Sequence, residues 1–209
     1  MPDSARARRE ADLVRYYSQE ASARTERALP AERVQKLGEF LDRLAREGRG
    51  TLLEVGCGPG RDGQRFRAAD LAYAGVDLTP VSVGISRAQG LCVCVASALR
   101  LPFADGTFDA AWTMSTLMHL DHVDLRAALG ELVRVLAPGS PVAIGIWGAA
   151  QTHQHLLDDG TGFWPARFFS YRTDAVLLAT LRDFGAVEEF ETWPGGEPVH
   201  YQWTVLRTP

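Results

Sequence analysis

Between Leu52 and Asp77 two acids and a cluster of glycines stand at spacings that can do chemistry. The run LLEVGCGPGRDG puts Glu54 two residues before Gly56, with further glycines at 58, 60 and 63, and the following LAYAGVDL runs into Asp77. Glycines let a backbone turn sharply after a buried strand and approach a ligand closely, and the helix that follows offers unpaired N–H groups. An acid at the tip of the next strand can accept hydrogen bonds from both hydroxyls of a ribose. The pattern predicts a nucleotide-binding crossover.

Spacing alone leaves two ligand classes open. Gly58, Gly60 and Gly63 fit GxGxxG, and Asp77 falls near the ~20-residue offset of a dinucleotide fingerprint, which suits a nicotinamide or flavin enzyme. The same run also reads as ExGxGxG through Glu54, Gly56, Gly58 and Gly60. A carboxylate at the end of the first strand favours a ligand with an ammonium group and repels a pyrophosphate. S-adenosyl-L-methionine has an ammonium, a sulfonium and a ribose, and no phosphate.

The elements that must hold these residues follow from periodicity. From residue 51 onward strand and helix patterns alternate, as they do around a parallel sheet. Strands are predicted at Thr51 to Val55, Ala72 to Asp77, Leu91 to Val95, Phe108 to Met114 and Pro141 to Trp147, with helices over Arg61 to Ala69 and Pro80 to Gln89. Leu125, Leu129, Leu132, Val133 and Leu136 form one helical stripe, with Asp121 as its N-cap and Pro138–Gly139 as its stop. A helix over Thr173 to Phe184 precedes two strands, Ala186 to Trp193 and Val199 to Val205, joined through PGGEP as an antiparallel hairpin. The predicted fold is a Rossmann-like α/β three-layer sandwich with a seven-stranded, mostly parallel sheet. Residues 1–48 read as an N-terminal helical lid segment, and residues 49–209 as the main domain with a lid insertion near 148–169 outside the sheet.

A chain of 209 residues with 46% hydrophobic content suits one well-buried domain. Its net charge of −4 lacks the positive balance that phosphate backbones select, so a nucleic-acid partner is not expected. The N-terminal MPDSARARREADL has no apolar core segment, and no apolar run reaches the ~20 residues that span a bilayer. A cytoplasmic protein without a membrane partner is expected. Three cysteines argue against a disulfide framework, and Cys92 and Cys94 read as buried small apolar side chains on one strand face.

With this order of elements the chain resembles the class I S-adenosylmethionine-dependent methyltransferases, in their small-molecule, ubiquinone-biosynthesis-like branch. LLEVGCGPG is similar to the family's first motif and GVDLT to its second; ASALRLPFADGTFDA is similar to the segment GDAxxLPFxDxSFD, and ELVRVLAPGS to ExxRVLKPGG. Four matches in order are far more specific than one glycine motif. The resemblance implies S-adenosyl-L-methionine as cofactor, with S-adenosyl-L-homocysteine as its product, and in-line methyl transfer to an O, N or S nucleophile of a small-molecule acceptor.

Carried over by position, the resemblance places Glu54, Gly56, Cys57, Gly58 and Gly60 around the methionine part, Asp77 on the ribose and Leu78 on the adenine face. Ser97 and Ala98 would line the adenine edge, and Thr113 and Met114 the opposite wall. Ser97 departs from the family, which holds an aspartate there to accept from the adenine amino group. That bond must then come from the Ser97 hydroxyl, a backbone carbonyl or water, at an expected cost in adenine discrimination of about 1 kcal/mol. Ser140, in place of a glycine after Pro138–Gly139, is a second departure and alters only a turn. His119, in STLMHLDH, stands where the family contacts the acceptor and is the candidate catalytic base. Read alone it is a solvent-facing residue before a helix, or with Asp121 and His122 part of a metal set. Tyr16 and Tyr17 are candidates to close over the cofactor or to staple a helix to the body, and Tyr171 and Arg172 are candidates to face the acceptor. His153 and His155 read as exposed.

Three other functions fit parts of the pattern. MHLDH, IGIWG and RFFSY loosely resemble wobble-uridine tRNA methyltransferases. GxGxxG alone suits a nicotinamide oxidoreductase, and a non-catalytic protein could retain the same cofactor cleft.

Overall fold

A computed structural model describes residues 2–196 and 198–209. Glu197, in the PGGEP turn, and Met1 lie outside the described residues. Two helices, α1 (Pro2–Glu26) and α2 (Ala31–Glu47), precede β1 (Thr51–Val55). The chain continues through α3 (Arg61–Ala68), β2 (Ala72–Asp77), α4 (Pro80–Ala88), β3 (Val93–Val95) and β4 (Ala110–Met114). A single 3-10 turn (Leu117–His119) leads into α5 (His122–Val135) and β5 (Pro141–Ala149). The remainder is β6 (His153–Leu157), β7 (Arg167–Tyr171), α6 (Asp174–Arg182), β8 (Ala186–Pro194) and β9 (Val199–Arg207).

The main sheet has seven strands in the order β3-β2-β1-β4-β5-β9-β8. β1 pairs in parallel with both β2 and β4, so the connections leave its carboxyl end in opposite directions. That divergence opens a crevice at the strand tips, the usual ligand position in such sheets. β9 enters antiparallel against β5, and β8 pairs antiparallel with β9. The terminal hairpin is thereby part of the sheet.

Both faces of the sheet are covered, and its central strands read as continuous apolar runs. Leu52 and Leu53 are fully buried on opposite faces, in two separate clusters. One face packs the stripe Leu125, Ala128, Leu129 and Leu132 of α5 with Leu177 and Leu181 of α6. The other packs Leu37, Phe40 and Leu44 of α2 with Phe66, Trp112 and Trp203. α5 starts where its cap predicts: the Asp121 side chain accepts from the Asp124 N–H at 2.9 Å. α2 ends at Gly48, whose left-handed φ of 66° lets the last turn close on Leu44 and Ala45.

Three local expectations need correction. The segment after β5 does not lie outside sheet structure, because β6 and β7 pair as a separate antiparallel ribbon. β3 begins at Val93, since Leu91 turns inward beneath Gly60, and Cys92 is exposed. β4 begins at Ala110, and Phe108 makes only an isolated bridge to Leu136. α1 lies against α4 and β7, alongside the carboxyl edge of the sheet.

Candidate functional site

One cavity lies at that edge. Its floor comes from Val55, Gly56 and Gly58, one side from Asp77, Leu78, Ser97 and Ala98, and the other from Ser115, Thr116, His119 and Leu120. α1 closes it with Glu10, Leu13, Tyr17 and Arg24. The glycines are required for two different reasons. At Gly56, with φ of 79°, an added Cβ would run into the Thr116 side chain. At Gly58, with φ of 53°, the nearest atom to an added Cβ is Arg24 Nε at 4.0 Å, which leaves the backbone open to a ligand.

Asp77 ties the two strand tips together. Its Oδ2 accepts from the Gly58 N–H at 2.8 Å and its Oδ1 from the Thr79 N–H at 2.8 Å. Burial pushes its pKa up, while the two backbone donors and Arg24 oppose the shift. The Thr79 side chain adds a third hydrogen bond, and the carboxylate, on the cavity wall, keeps acceptor capacity for a ligand hydroxyl.

Glu54 lies elsewhere than its motif suggests. Its side chain is buried beneath the glycine turn, outside the cavity wall, and accepts from the Tyr73 hydroxyl at 2.6 Å. Burial, reinforced by neighbouring Asp62, pushes its pKa well above the ordinary carboxylate value, which weakens any case for it as a free anion facing an ammonium group. Asp62 is also buried and accepts from Arg33 Nε at 2.9 Å and Trp112 Nε1 at 2.8 Å. Glu54 is thus part of the support under the turn.

Cys57, Gly60, Thr113 and Met114 are likewise off the cavity wall. Cys57 packs into the α2-side core, and Gly60 is pressed against Leu91 and Ser86 as the N-cap of α3. Thr113 is fully buried inside β4, and the Met114 sulfur lies 3.8 Å from the Tyr201 hydroxyl. The far wall comes from the residues just beyond the strand, Ser115 and Thr116. Ser115 holds a φ of 55°, strained for a residue with a side chain, with its hydroxyl 3.0 Å from that of Tyr201.

His119 is buried, not solvent-facing. Its Nδ1 lies 2.8 Å from the Phe168 carbonyl, to which it must donate, so Nε2 carries the lone pair and accepts from the Tyr17 hydroxyl at 2.7 Å. Burial pulls its pKa down to about 3, and nearby Arg167 and Arg24 disfavour the imidazolium further. No metal set forms with Asp121 and His122, because Asp121 caps α5 and pairs with Arg9 at 2.7 Å.

The tyrosine pair divides its two expected tasks. Tyr17 lines the cavity, whereas the Tyr16 hydroxyl donates to Asp159 at 2.7 Å and its ring packs edge-on to Phe163, tying α1 to the β6–β7 connection. Tyr171 and Arg172 do not face the cavity. Tyr171 stacks with His153 and His155, the former exposed and the latter half-buried. Arg172 is buried and donates to the Leu120 carbonyl at 2.8 Å, with burial pulling its pKa down to about 10.

Sequence reasoning missed Glu10, Leu13, Arg24, Ser115 and Thr116. The signal in α1 is a stripe at intervals of three, four and seven residues, Glu10, Leu13, Tyr17 and Arg24, which places all four on one helix face. Its mixed polarity hides it from any search for apolar periodicity.

Residues 53–144 match the model of a family described as a methyltransferase domain. That match spans less than half of the chain, from β1 into β5, and marks this stretch as similar to a methyltransferase domain. Among curated relatives, the O-methyltransferase resE of Aspergillus sclerotiorum is 33% identical over 145 residues, covering 63% of this chain and 51% of the relative. A tRNA (carboxymethyluridine(34)-5-O)-methyltransferase of Arabidopsis thaliana is 33% identical over 127 residues, covering 60% of this chain and 30% of that protein. The chain spans about half or less of the length of these relatives. Among solved structures, Burkholderia thailandensis 1,6-didemethyltoxoflavin-N1-methyltransferase, with bound 1,6-didemethyltoxoflavin and S-adenosylhomocysteine, superposes with a TM-score of 0.77 at 19% identity. That likeness covers 100% of this chain and 90% of the other, and it is one of fold. The family match ends within β5, so the antiparallel strand β9 beside it lies beyond the matched residues.

Proposed function

We propose that the protein transfers a methyl group from S-adenosyl-L-methionine to a small-molecule acceptor. One observation carries this reading: the cavity joins an open glycine backbone, a diol-accepting Asp77 and a single guanidinium, Arg24, at the tips of β1 and β2. These residues fit the cofactor. Asp77 accepts from the ribose hydroxyls, Leu78 covers the adenine face, and Arg24, beside Gly58, meets the carboxylate of the methionine part. A dinucleotide fits poorly, because its pyrophosphate would lie past the ribose beside the Asp77 carboxylate, with Arg24 as the one cation on the wall among the described residues.

When bound, S-adenosyl-L-methionine would supply a methyl carbon activated by the sulfonium: the acceptor's lone pair bonds to that carbon as the carbon–sulfur bond breaks, and the sulfur leaves with the electron pair as S-adenosyl-L-homocysteine. The protein's task is then chiefly to position the acceptor and exclude water. α1, within an N-terminal segment at 1–48, and the insertion near 148–169 act as lids over a domain at 49–209. His119 and Tyr17 form the acceptor side. With its pKa near 3, neutral His119 is a poor proton acceptor at neutral pH and serves to hold Tyr17, and through it the acceptor, by hydrogen bonds.

The similarity to tRNA methyltransferases favours a second reading, modification of a tRNA base, against which the net charge of −4 stands. Label transfer from methyl-labelled S-adenosyl-L-methionine tests both. Label in one or more members of a panel of small phenols, carboxylic acids, amines and thiols supports the proposal. Label only in tRNA selects the second reading, and no label in either points to a binding protein.

A further inference from the structure

We propose that Glu10 of α1 is the acceptor for the exocyclic amino group of adenine, replacing from the helix the aspartate that position 97 lacks. The inference rests on the adenosyl reading of the cavity and adds the residue that sets its base specificity. Ser97 follows β3, the strand beside β2, where Val95 lies opposite the ribose acid Asp77. A serine cannot do the work of a carboxylate there, and its hydroxyl is already committed. Ser97 Oγ donates to Glu10 Oε1 at 2.6 Å and accepts from the Leu99 N–H at 3.2 Å.

The result is a carboxylate held by Ser97 on the cavity wall, beside Ala98 and Leu78. Among the described residues no cation comes within ion-pair distance of Glu10. The neighbouring arginines of α1 point elsewhere: Arg6 pairs with Asp124 at 2.6 Å, and Arg9 with Asp121 at 2.7 Å. The second oxygen of Glu10 therefore has no partner among the described residues and is available to a donor in the cavity. An adenine amino group donates to it, whereas the carbonyl of a 6-oxopurine would be repelled. Because the acceptor sits on α1 rather than on the sheet, recognition of the base requires the helix in place. Base recognition and closure of the cavity thus become one event.

The test is calorimetric and needs no turnover. Binding of S-adenosyl-L-homocysteine and of S-inosyl-L-homocysteine, which carries a 6-oxo group, is measured for the full chain, Glu10→Ala, and Glu10→Ala combined with Ser97→Asp. The full chain is expected to prefer the adenosyl ligand by tenfold or more, Glu10→Ala to reduce the preference to threefold or less, and the double variant to restore it. An unchanged preference in Glu10→Ala overturns the inference and leaves the proposed function standing. So does an equal loss of affinity for both ligands, since Glu10 would then merely anchor α1. If the full chain binds neither ligand, both the inference and the proposed function fall.

Discussion

The Tyr17 hydroxyl lies 2.7 Å from His119 Nε2, and the opposite ring nitrogen of His119 lies 2.8 Å from the Phe168 carbonyl. One imidazole thus joins α1 to β7 across the mouth of the cavity, and it can do so only in its neutral form. Protonation of Nε2 would remove the acceptor that Tyr17 uses.

That arrangement fixes a pH dependence. The unfolded chain protonates this imidazole below its ordinary value of 6.5, but the folded protein resists until about 3. In that window unfolding takes up a proton, so stability falls as the pH falls. Urea-unfolding free energies should decline more steeply for the protein than for His119→Asn between about pH 6.5 and 5, by up to ~1.4 kcal/mol per pH unit. Parallel slopes would remove this role from His119.

His119 should also separate binding from turnover. His119→Ala is expected to bind S-adenosyl-L-homocysteine within about twofold of the parent while kcat for a responsive acceptor falls tenfold or more, an interaction lost on the acceptor side. Unchanged turnover would place His119 outside the mechanism.

Arg24 stacks over the Tyr17 ring at 5.3 Å and pairs with Glu20 at 3.2 Å, which holds its guanidinium beside Gly58. Arg24→Ala should weaken S-adenosyl-L-homocysteine by about 1.5–3 kcal/mol, the range for a hydrogen bond to a charged group. Binding of 5′-methylthioadenosine, which lacks the amino-acid carboxylate, should stay unchanged. Calorimetry with both ligands checks this, and an equal loss for both would show that Arg24 acts only through the placement of α1.

Gly58→Ala tests the backbone itself. An alanine forced to the φ of 53° costs about 1–2 kcal/mol and puts a methyl group where a ligand must approach. The melting temperature should drop by a few degrees, and the ligand-induced rise should disappear. Retention of that rise would move the ligand away from the glycine turn.

How far the sequence alone reached depended on whether position and direction were local. The place of Asp77 at the second strand tip is legible because a strand, a tight turn and a second parallel strand leave little freedom in where an acid at the next tip lies. Glu54 was misplaced for the opposite reason: the same spacing permits a side chain above or beneath the turn, and Tyr73, distant in sequence, draws it beneath. Thr113 and Met114 failed through strand geometry, since residues inside β4 face the packed layers while those just past its end face the crevice. The α1 contribution was the least legible. Glu10, Leu13, Tyr17 and Arg24 share a face, but only tertiary packing against α4 and β7 turns that face toward the cavity.

The central claim is that this cavity accepts adenosine joined through sulfur to an amino acid. Titration of the full chain with S-adenosyl-L-homocysteine and, separately, with NADH tests it directly, with the melting temperature as readout. At ~100 times its dissociation constant the former should stabilise the fold by ~2.7 kcal/mol, a clear upward shift that Asp77→Ala abolishes, while NADH produces none. A shift with NADH and none with S-adenosyl-L-homocysteine would contradict the account.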